Sequence, residues 1–309
     1  MIPHSEPTGF YLVETLKADS DGNPIESTAV LHGTLNANLV LNQGLIRMGT
    51  KSDYLKVCSV GSGTRTPTAS DTGLQSIMAS SSAVSGSSNG AQVYAPYYAW
   101  KRKTFTFEVG AVVGIVGELA IGWGSSDGEI YSRALARDGN GNPTAITVLA
   151  DEVLRVTYEH RYYPILHDTT GVVELVGDIE GVFNYTIRAS MVSTSTYWVA
   201  DRAQDYGGGS TGSGTAPQSI TAYNGVIGRI NEQPTGNRLT VSSMIGTTDG
   251  LLARFSFGAA AGQMNLEGGI KSLSFPMGNG FYQIEFTPAI PKDATNTLSL
   301  QFSHSWGGR

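Results

Sequence analysis

Apolar and polar residues alternate with a period of two along much of this chain. The clearest run is Val153 to Tyr163, where Leu154, Val156, Tyr158, His160 and Tyr162 fall on one face and Arg155, Thr157, Glu159 and Arg161 on the other. Successive side chains of an extended strand point to opposite faces, so the spacing predicts a half-buried strand. A second run closes the chain, with Leu298, Leu300, Phe302, His304 and Trp306 opposed by Thr297, Ser299, Gln301 and Ser303. Shorter copies are Phe105, Phe107 and Val109 against Thr104, Thr106 and Glu108, and Phe255 and Phe257 against Arg254 and Ser256. Strands with one wet face belong to antiparallel sheets, because a parallel sheet is covered by helices on both sides. The expected fold is all-β, with antiparallel β-sandwiches.

Turn chemistry agrees. Asp21-Gly22-Asn23-Pro24 and Asp138-Gly139-Asn140-Gly141-Asn142-Pro143 lie between strand-like runs and supply the positive-φ residues of tight turns. Two short helices are predicted, one over Leu39–Met48 behind Asn36 and Asn38, the other opening at Thr68-Ala69-Ser70-Asp71 and running through Gln75 and Ile77. Residues 80–90 (SSSAVSGSSNG) and 204–218 (QDYGGGSTGSGTAPQ) have almost nothing to bury and read as long loops or connectors.

At 309 residues a single core usually stops growing, so two domains are expected, 1–166 and 167–309, the second holding the Gly/Ser-rich loop 204–218. The boundary is placed just after Tyr163-Pro164 because a proline ends ladder hydrogen bonding. The halves also resemble one another. KRKTFTFEVGAVVGIVGELAIGW (101–123) matches LLARFSFGAAAGQMNLEGGIKSLSF (251–275), and ADEVLRVTYEHRY (150–162) matches KDATNTLSLQFSHSW (292–306). An internal duplication would leave this pattern, although amphipathic strands also resemble one another by construction.

Composition narrows the function. The net charge is −6 and the pI near 5.4, which argues against nucleic acid as the main partner, since polyanion binding needs a basic footprint. The single cysteine, Cys58, excludes an intrachain disulfide framework, and one thiol does not build a zinc site. The N-terminal MIPHSEPTGFYLVE has neither a basic nor an apolar signal region, so folding in a cytosol is expected. The longest apolar stretch, Val109 to Gly117, is too short to insert in a membrane.

No catalytic, cofactor-binding or metal-binding residue is assigned. Gly207 to Gly212 satisfies both a dinucleotide-loop and a nucleophile-elbow pattern, yet it lacks the flanking strand and helix that make either work. Asp19, Asp21 and Asn23, like Asp138, Asn140 and Asn142, have the alternate spacing of calcium ligands, but the twelfth position is Val30 or Leu149 instead of a glutamate. His4, His32, His160, His167 and His304 show no metal spacing, and His160 and His304, at matching places, read as hydrogen-bonded core histidines. Glu118 and Glu267 fall in matching bends but in different domains, which disfavours a glycosidase pair. Tyr94, Tyr97, Tyr98 and Trp100, or Tyr162 and Tyr163, suit either sugar stacking or a subunit interface.

The runs LNQGLIRMG, YLKVCSVGSGTRTPTASDTGLQS, KTFTFEVGAVVGIVGELAIGWG and IYSRALARDGNGNPTAITVLADEVLRVTYEHRYYP resemble virion structural proteins of tailed bacteriophages, of the tail-fibre, baseplate or neck-associated kind. VGSGTRTPTASDT and SRALARDGNGNPTAITVL carry most of the likeness, which covers residues 34–164. The resemblance implies a non-enzymatic adaptor or appendage of the tail or neck. It would be assembled in the host cytoplasm and located in the virion, with other phage structural proteins as partners and homo-oligomers of tail-axis symmetry. It brings no catalytic residue, cofactor, nucleic acid or membrane insertion. A carbohydrate-binding module touching a host-surface glycan is the alternative.

Overall fold

A computed structural model describes residues 4–51, 53–190, 218–249, 251–277 and 280–306. The expected loop at 204–218, apart from its last residue, and Gly207 to Gly212 lie outside these residues. The chain forms two compact units. One comprises residues 7–89 and 100–161, the other the described residues up to Glu6, Gly90–Ala99 and Tyr162 onward.

The first unit draws on β1 (His4–Lys17), β2 (Val30–Val40), α1 (Asn42–Met48), β3 (Val57–Gly61), β4 (Ile77–Ser81), β5 (Val84–Gln92), β6 (Tyr98–Phe107), β7 (Gly114–Val116), β8 (Glu118–Gly122), β9 (Ile130–Leu135), β10 (Ile146–Val148) and β11 (Glu152–Tyr163). One sheet has the order β2, β1, β11, β6, β5, and the other the order β4, β3, β8, β9. Strand β2 serves both, pairing with β1 from Val30 to Asn38 and with β9 at Leu39 and Val40. Strands β7 and β10 form a separate ribbon. The inward row of β11 holds, with Leu154, Val156, Tyr158 and His160 buried and Ser132 Oγ donating to Tyr158 Oη at 3.1 Å across the layers, but Glu159 of the opposite row is buried too, paired with Arg102 and Arg161.

Three local expectations are corrected. Residues 80–90 are the end of β4 and most of β5 instead of a loop. Ladder bonds are made by backbone groups and need no apolar side chain, and β6 supplies the partner: Thr106 N donates to Ala83 O at 3.0 Å and Thr106 Oγ1 to Ser85 Oγ at 2.8 Å. Thr68 and Asp71 make capping-box bonds, Thr68 N to Asp71 Oδ2 at 3.1 Å, but no helix follows, because Asp71 is drawn into the ion pairs described below. The other helix begins at Asn42, since Leu39 and Val40 are still paired with β9.

The second unit contains β12 (Thr169–Leu175), β13 (Gly181–Ala189), β14 (Gln218–Tyr223), β15 (Arg238–Asp249), β16 (Leu252–Ala259), β17 (Ile270–Met277), β18 (Gly280–Ile290) and β19 (Leu298–Trp306). One sheet runs β12, β13, β18, β17, β14, β15. The other runs β15, β16, β19, with His4 and Ser5 of β1 parallel to Ser305 and Trp306. Here β15 serves both sheets, as β2 does in the first unit. Leu298, Leu300, Phe302, His304 and Trp306 are all buried.

The pairings repeat from unit to unit. β1 with β2, β2 with β9, β3 with β4, β3 with β8, β8 with β9 and β6 with β11 correspond in order to β12 with β13, β13 with β18, β14 with β15, β14 with β17, β17 with β18 and β16 with β19. The internal likeness of the sequence is therefore a likeness of topology, with aromatic strand β6 matching β16 and β11 matching β19.

Candidate functional site

Strands β8 and β9 do not alternate. Every residue of Glu118–Gly122 and Ile130–Leu135 is buried, so both faces of these central strands are covered. One face meets the sandwich interior. The other lies beneath α1 and the loop joining β3 to β4, residues 62–76, through an apolar cluster of Leu41, Ala120 and Ile130 with Leu39 and Leu74 against it. Glu118 and Arg133 stand on that covered face, each with a side chain 0% exposed.

Two charges taken from water must satisfy one another and every remaining donor and acceptor. Arg133 Nε and Nη2 donate to Glu118 Oε2 at 3.0 and 2.6 Å, Nη1 to Asp71 Oδ2 at 2.5 Å, and Nη2 also to Arg65 O at 2.9 Å. Glu118 Oε1 accepts from Gly63 N at 3.1 Å and Ser76 N at 2.8 Å, and Oε2 from Gln75 N at 3.1 Å. Arg65 Nη1 completes the network on Asp71 Oδ1 at 2.9 Å. Burial pushes the Asp71 carboxyl up. The Thr68 N–H and hydroxyl and the Arg133 guanidinium outweigh that effect and hold it down at about 2. Gly63 has to be glycine, since a Cβ there would lie 2.2 Å from Glu118 Oε1. The network pins both ends and the middle of the loop to two central strands.

The second unit roofs its central strands in the same way, without a fully buried ion pair among the contacts that follow, although Glu285 accepts from Ile227 N at 3.2 Å and Arg188 Nη1 donates to Gly228 O at 2.8 Å. Residues 224–237, joining β14 to β15, lie over β17 and β18, where Gln283 is buried at the register position that Arg133 has in β9. Its Nε2 donates to Gly228 O and Arg229 O at 3.0 and 3.1 Å, and its Oε1 accepts from Gly228 N at 2.9 Å. Ser272 Oγ donates to Gly225 O at 2.7 Å. By register Glu118 corresponds to Ser272, because Glu118 faces Leu135 as Ser272 faces Glu285. Glu267, matched to Glu118 in the sequence, sits instead on the exposed turn before β17.

The two Asp-rich turns are copies of one another. In each, the first aspartate's Oδ1 accepts two backbone N–H groups, those of Asp21 and Asn23 for Asp19 and of Asn140 and Asn142 for Asp138. These bonds, foremost those from the Asn23 and Asn142 N–H groups, hold both carboxyls below the usual range. Gly22 and Gly141 supply the left-handed residue, at φ 83° and 82°. Among the described residues no group of three His, Cys, Asp or Glu side chains is placed to hold a metal ion.

His160 Nδ1 shares a hydrogen bond with Tyr131 Oη at 3.2 Å, with Tyr54 edge-on, and His304 Nε2 shares one with Tyr162 Oη at 3.2 Å. His32 Nε2 meets Thr15 Oγ1 at 2.8 Å, and burial lowers its pKa. The tyrosine-rich segment is divided: Tyr94, 69% exposed, Tyr97 and Tyr98 belong to the second unit, Tyr98 packing on Tyr163, whereas Trp100 belongs to the first and lies under Arg102. Cys58 is buried and its thiol is pushed up by burial.

Around the pinned loop the surface is grooved. Gly73, Leu74, Gln75 and Ile77 form one wall of a cleft of about 310 Å³ whose other wall is the turn Ser125-Ser126-Asp127, with Ser59 and Ile130 completing the lining. A second groove, of about 280 Å³, lies beyond Ser62 and Thr64 against Ile115, Leu135 and Pro143. Comparisons with models of protein families, with curated proteins and with solved structures found no match for this chain.

Proposed function

We propose that this chain is a non-enzymatic structural component of a tailed phage particle, an adaptor or appendage of the tail or neck that assembles by multimeric packing. The observation that carries the reading is how the two most phage-like segments are joined. VGSGTRTPTASDT is the pinned loop with the end of β3, SRALARDGNGNPTAITVL is β9 with the turn and ribbon strand that follow, and Arg133 of the second bonds Asp71 and Arg65 of the first at 2.5 and 2.9 Å. The resembling segments are thus one substructure. Its ionisable groups are spent on mutual pairing and on backbone amides, which suits a rigid scaffold. Apolar side chains left outside, Val113, Ile115 and Leu149 on the β7–β10 ribbon and Val172, Val176 and Val182 on the β12–β13 hairpin, offer surface for packing against neighbouring copies.

The test is to label purified particles from the source phage with an antibody to this chain and to image them, alongside native mass spectrometry of the isolated chain. Ordered copies about the tail axis support the proposal. Absence from the particles, or a strictly monomeric chain with no ordered copies, overturns it.

A further inference from the structure

The cleft between residues 73–77 and the 125–127 turn has the chemistry of a ligand site that the scaffold role does not use. We propose that it binds a single neutral sugar residue of a polysaccharide. Its volume, about 310 Å³, is at the lower end of small-ligand pockets, the size class of one ring. One wall is largely apolar: Leu74 and Ile130 belong to the cluster over β8 and β9, Ile77 is 52% exposed at the rim, and Gln75 beside Leu74 adds an amide. The facing turn brings Ser125, Ser126 and Asp127, two hydroxyl side chains and a carboxylate. A pyranose presents the same two characters, a C–H face and an edge of vicinal hydroxyls that a carboxylate and an amide can bracket. The lone carboxylate, with no cation in the lining, disfavours a phosphate or a uronic acid.

The walls are set before any ligand arrives. Gly128 N donates to Thr72 O at 2.8 Å, tying turn to loop, and Gln43 Nε2 holds the Thr72 and Ile130 carbonyls at 3.1 and 2.9 Å. Gln75 Oε1 accepts from Thr64 N and Arg65 N at 3.0 and 2.9 Å, which fixes its amide plane and leaves Nε2 as the donor for a ligand. Gly73 admits Asp127: a Cβ on it would lie 1.8 Å from Asp127 Oδ1. Beneath the cleft, Ser59 Oγ is committed to Ser80 Oγ at 2.8 Å. Fixed walls of this kind lower the ordering cost of binding.

Saturation-transfer NMR on the full chain with D-glucose, D-galactose, D-mannose, N-acetyl-D-glucosamine and D-glucuronate tests this. At least one neutral sugar is expected to receive saturation and glucuronate none. Asp127→Ala and Gly73→Ala should each weaken that sugar by about tenfold or more. Asp127 is exposed and its variant should melt like wild type, while Tyr97→Ala should bind unchanged. No transfer to any neutral sugar overturns the proposal. So does undiminished binding by Asp127→Ala and Gly73→Ala, or loss confined to Tyr97→Ala, which would place the sugar elsewhere. The purified chain suffices, so this result stands apart from whether the chain is found on a particle.

Discussion

Replacing Glu118 by alanine removes the acceptor at the centre of the roof over β8 and β9. Arg133, 0% exposed, then keeps only Asp71 and the Arg65 carbonyl, and the N–H groups of Gly63, Gln75 and Ser76 lose their acceptor. Breaking a buried ion pair from one side costs about 3–5 kcal/mol, because the remaining charge stays desolvated. The orphaned amide of buried Gly63 adds about 1 kcal/mol or more unless the loop lifts and lets water in, and those of the more exposed Gln75 and Ser76 add less. Lifting is the cheaper response, so the loss should settle at about 4 kcal/mol, a large part of the ~5–15 kcal/mol that holds a domain folded. Glu118→Gln should recover little: the shape is kept, but an NH2 in place of Oε2 would face the Gln75 N–H and the Arg133 guanidinium, donors against donors. Converting both charges, Glu118→Leu with Arg133→Leu, should cost less than the sum of the single changes, since neither member of the pair is left buried alone and Asp71 keeps Arg65. Urea unfolding followed by tryptophan fluorescence gives the free energies, and hydrogen exchange at Gly63, Gln75 and Ser76 reports the roof itself. A loss below about 1 kcal/mol in Glu118→Ala, with those amides still protected, would refute the reasoning.

Three further outcomes are expected. Leu154→Ala and Leu298→Ala should each cost about 2–5 kcal/mol in chemical denaturation of the full chain, whereas the outward Ser299→Ala and Gln301→Ala should stay within about 0.5 kcal/mol; equal losses in both classes would mean the faces are reversed. Gly33→Ala should destabilise by about 1–3 kcal/mol, because Gly33 has φ 89° and a Cβ would approach Arg137 O at 2.7 Å, while Gly258→Ala, with open space around it, should be neutral; matching melting temperatures for the two would contradict this. Asp71 titrates at about 2, below its ordinary 3.8, so its contribution is fully present above about pH 4 and is lost as pH falls toward 2, by no more than about 2 kcal/mol. Stability measured against pH should show that acid limb in wild type and a shallower one in Asp71→Asn, and superimposable limbs would rule it out.

Period-two alternation was legible because it is local: a strand's side chains change face at every residue whatever lies elsewhere, so the inward rows of β11 and β19 and the antiparallel class followed from spacing alone. The paired turns ending in Gly-Asn-Pro were legible for the same reason, their bonds being made within five residues. The sequence also showed the likeness of its two halves, since equivalent strands carry similar patterns. It could not show which strands would be covered twice. ELAIG and IYSRAL do not alternate, and whether Glu118 and Arg133 end in water or in each other's company depends on a loop more than forty residues before Glu118 folding over them. The same distance hid the fate of Thr68 to Asp71, whose capping pattern met a guanidinium from β9, and of residues 80–90, whose serines and glycines became strand because β6 offered a ladder. Nor could it show that Gly90–Ala99 belongs with the C-terminal unit. Burial, charge pairing and strand partnership are set by what arrives from far along the chain, and only the tertiary structure brings those groups together.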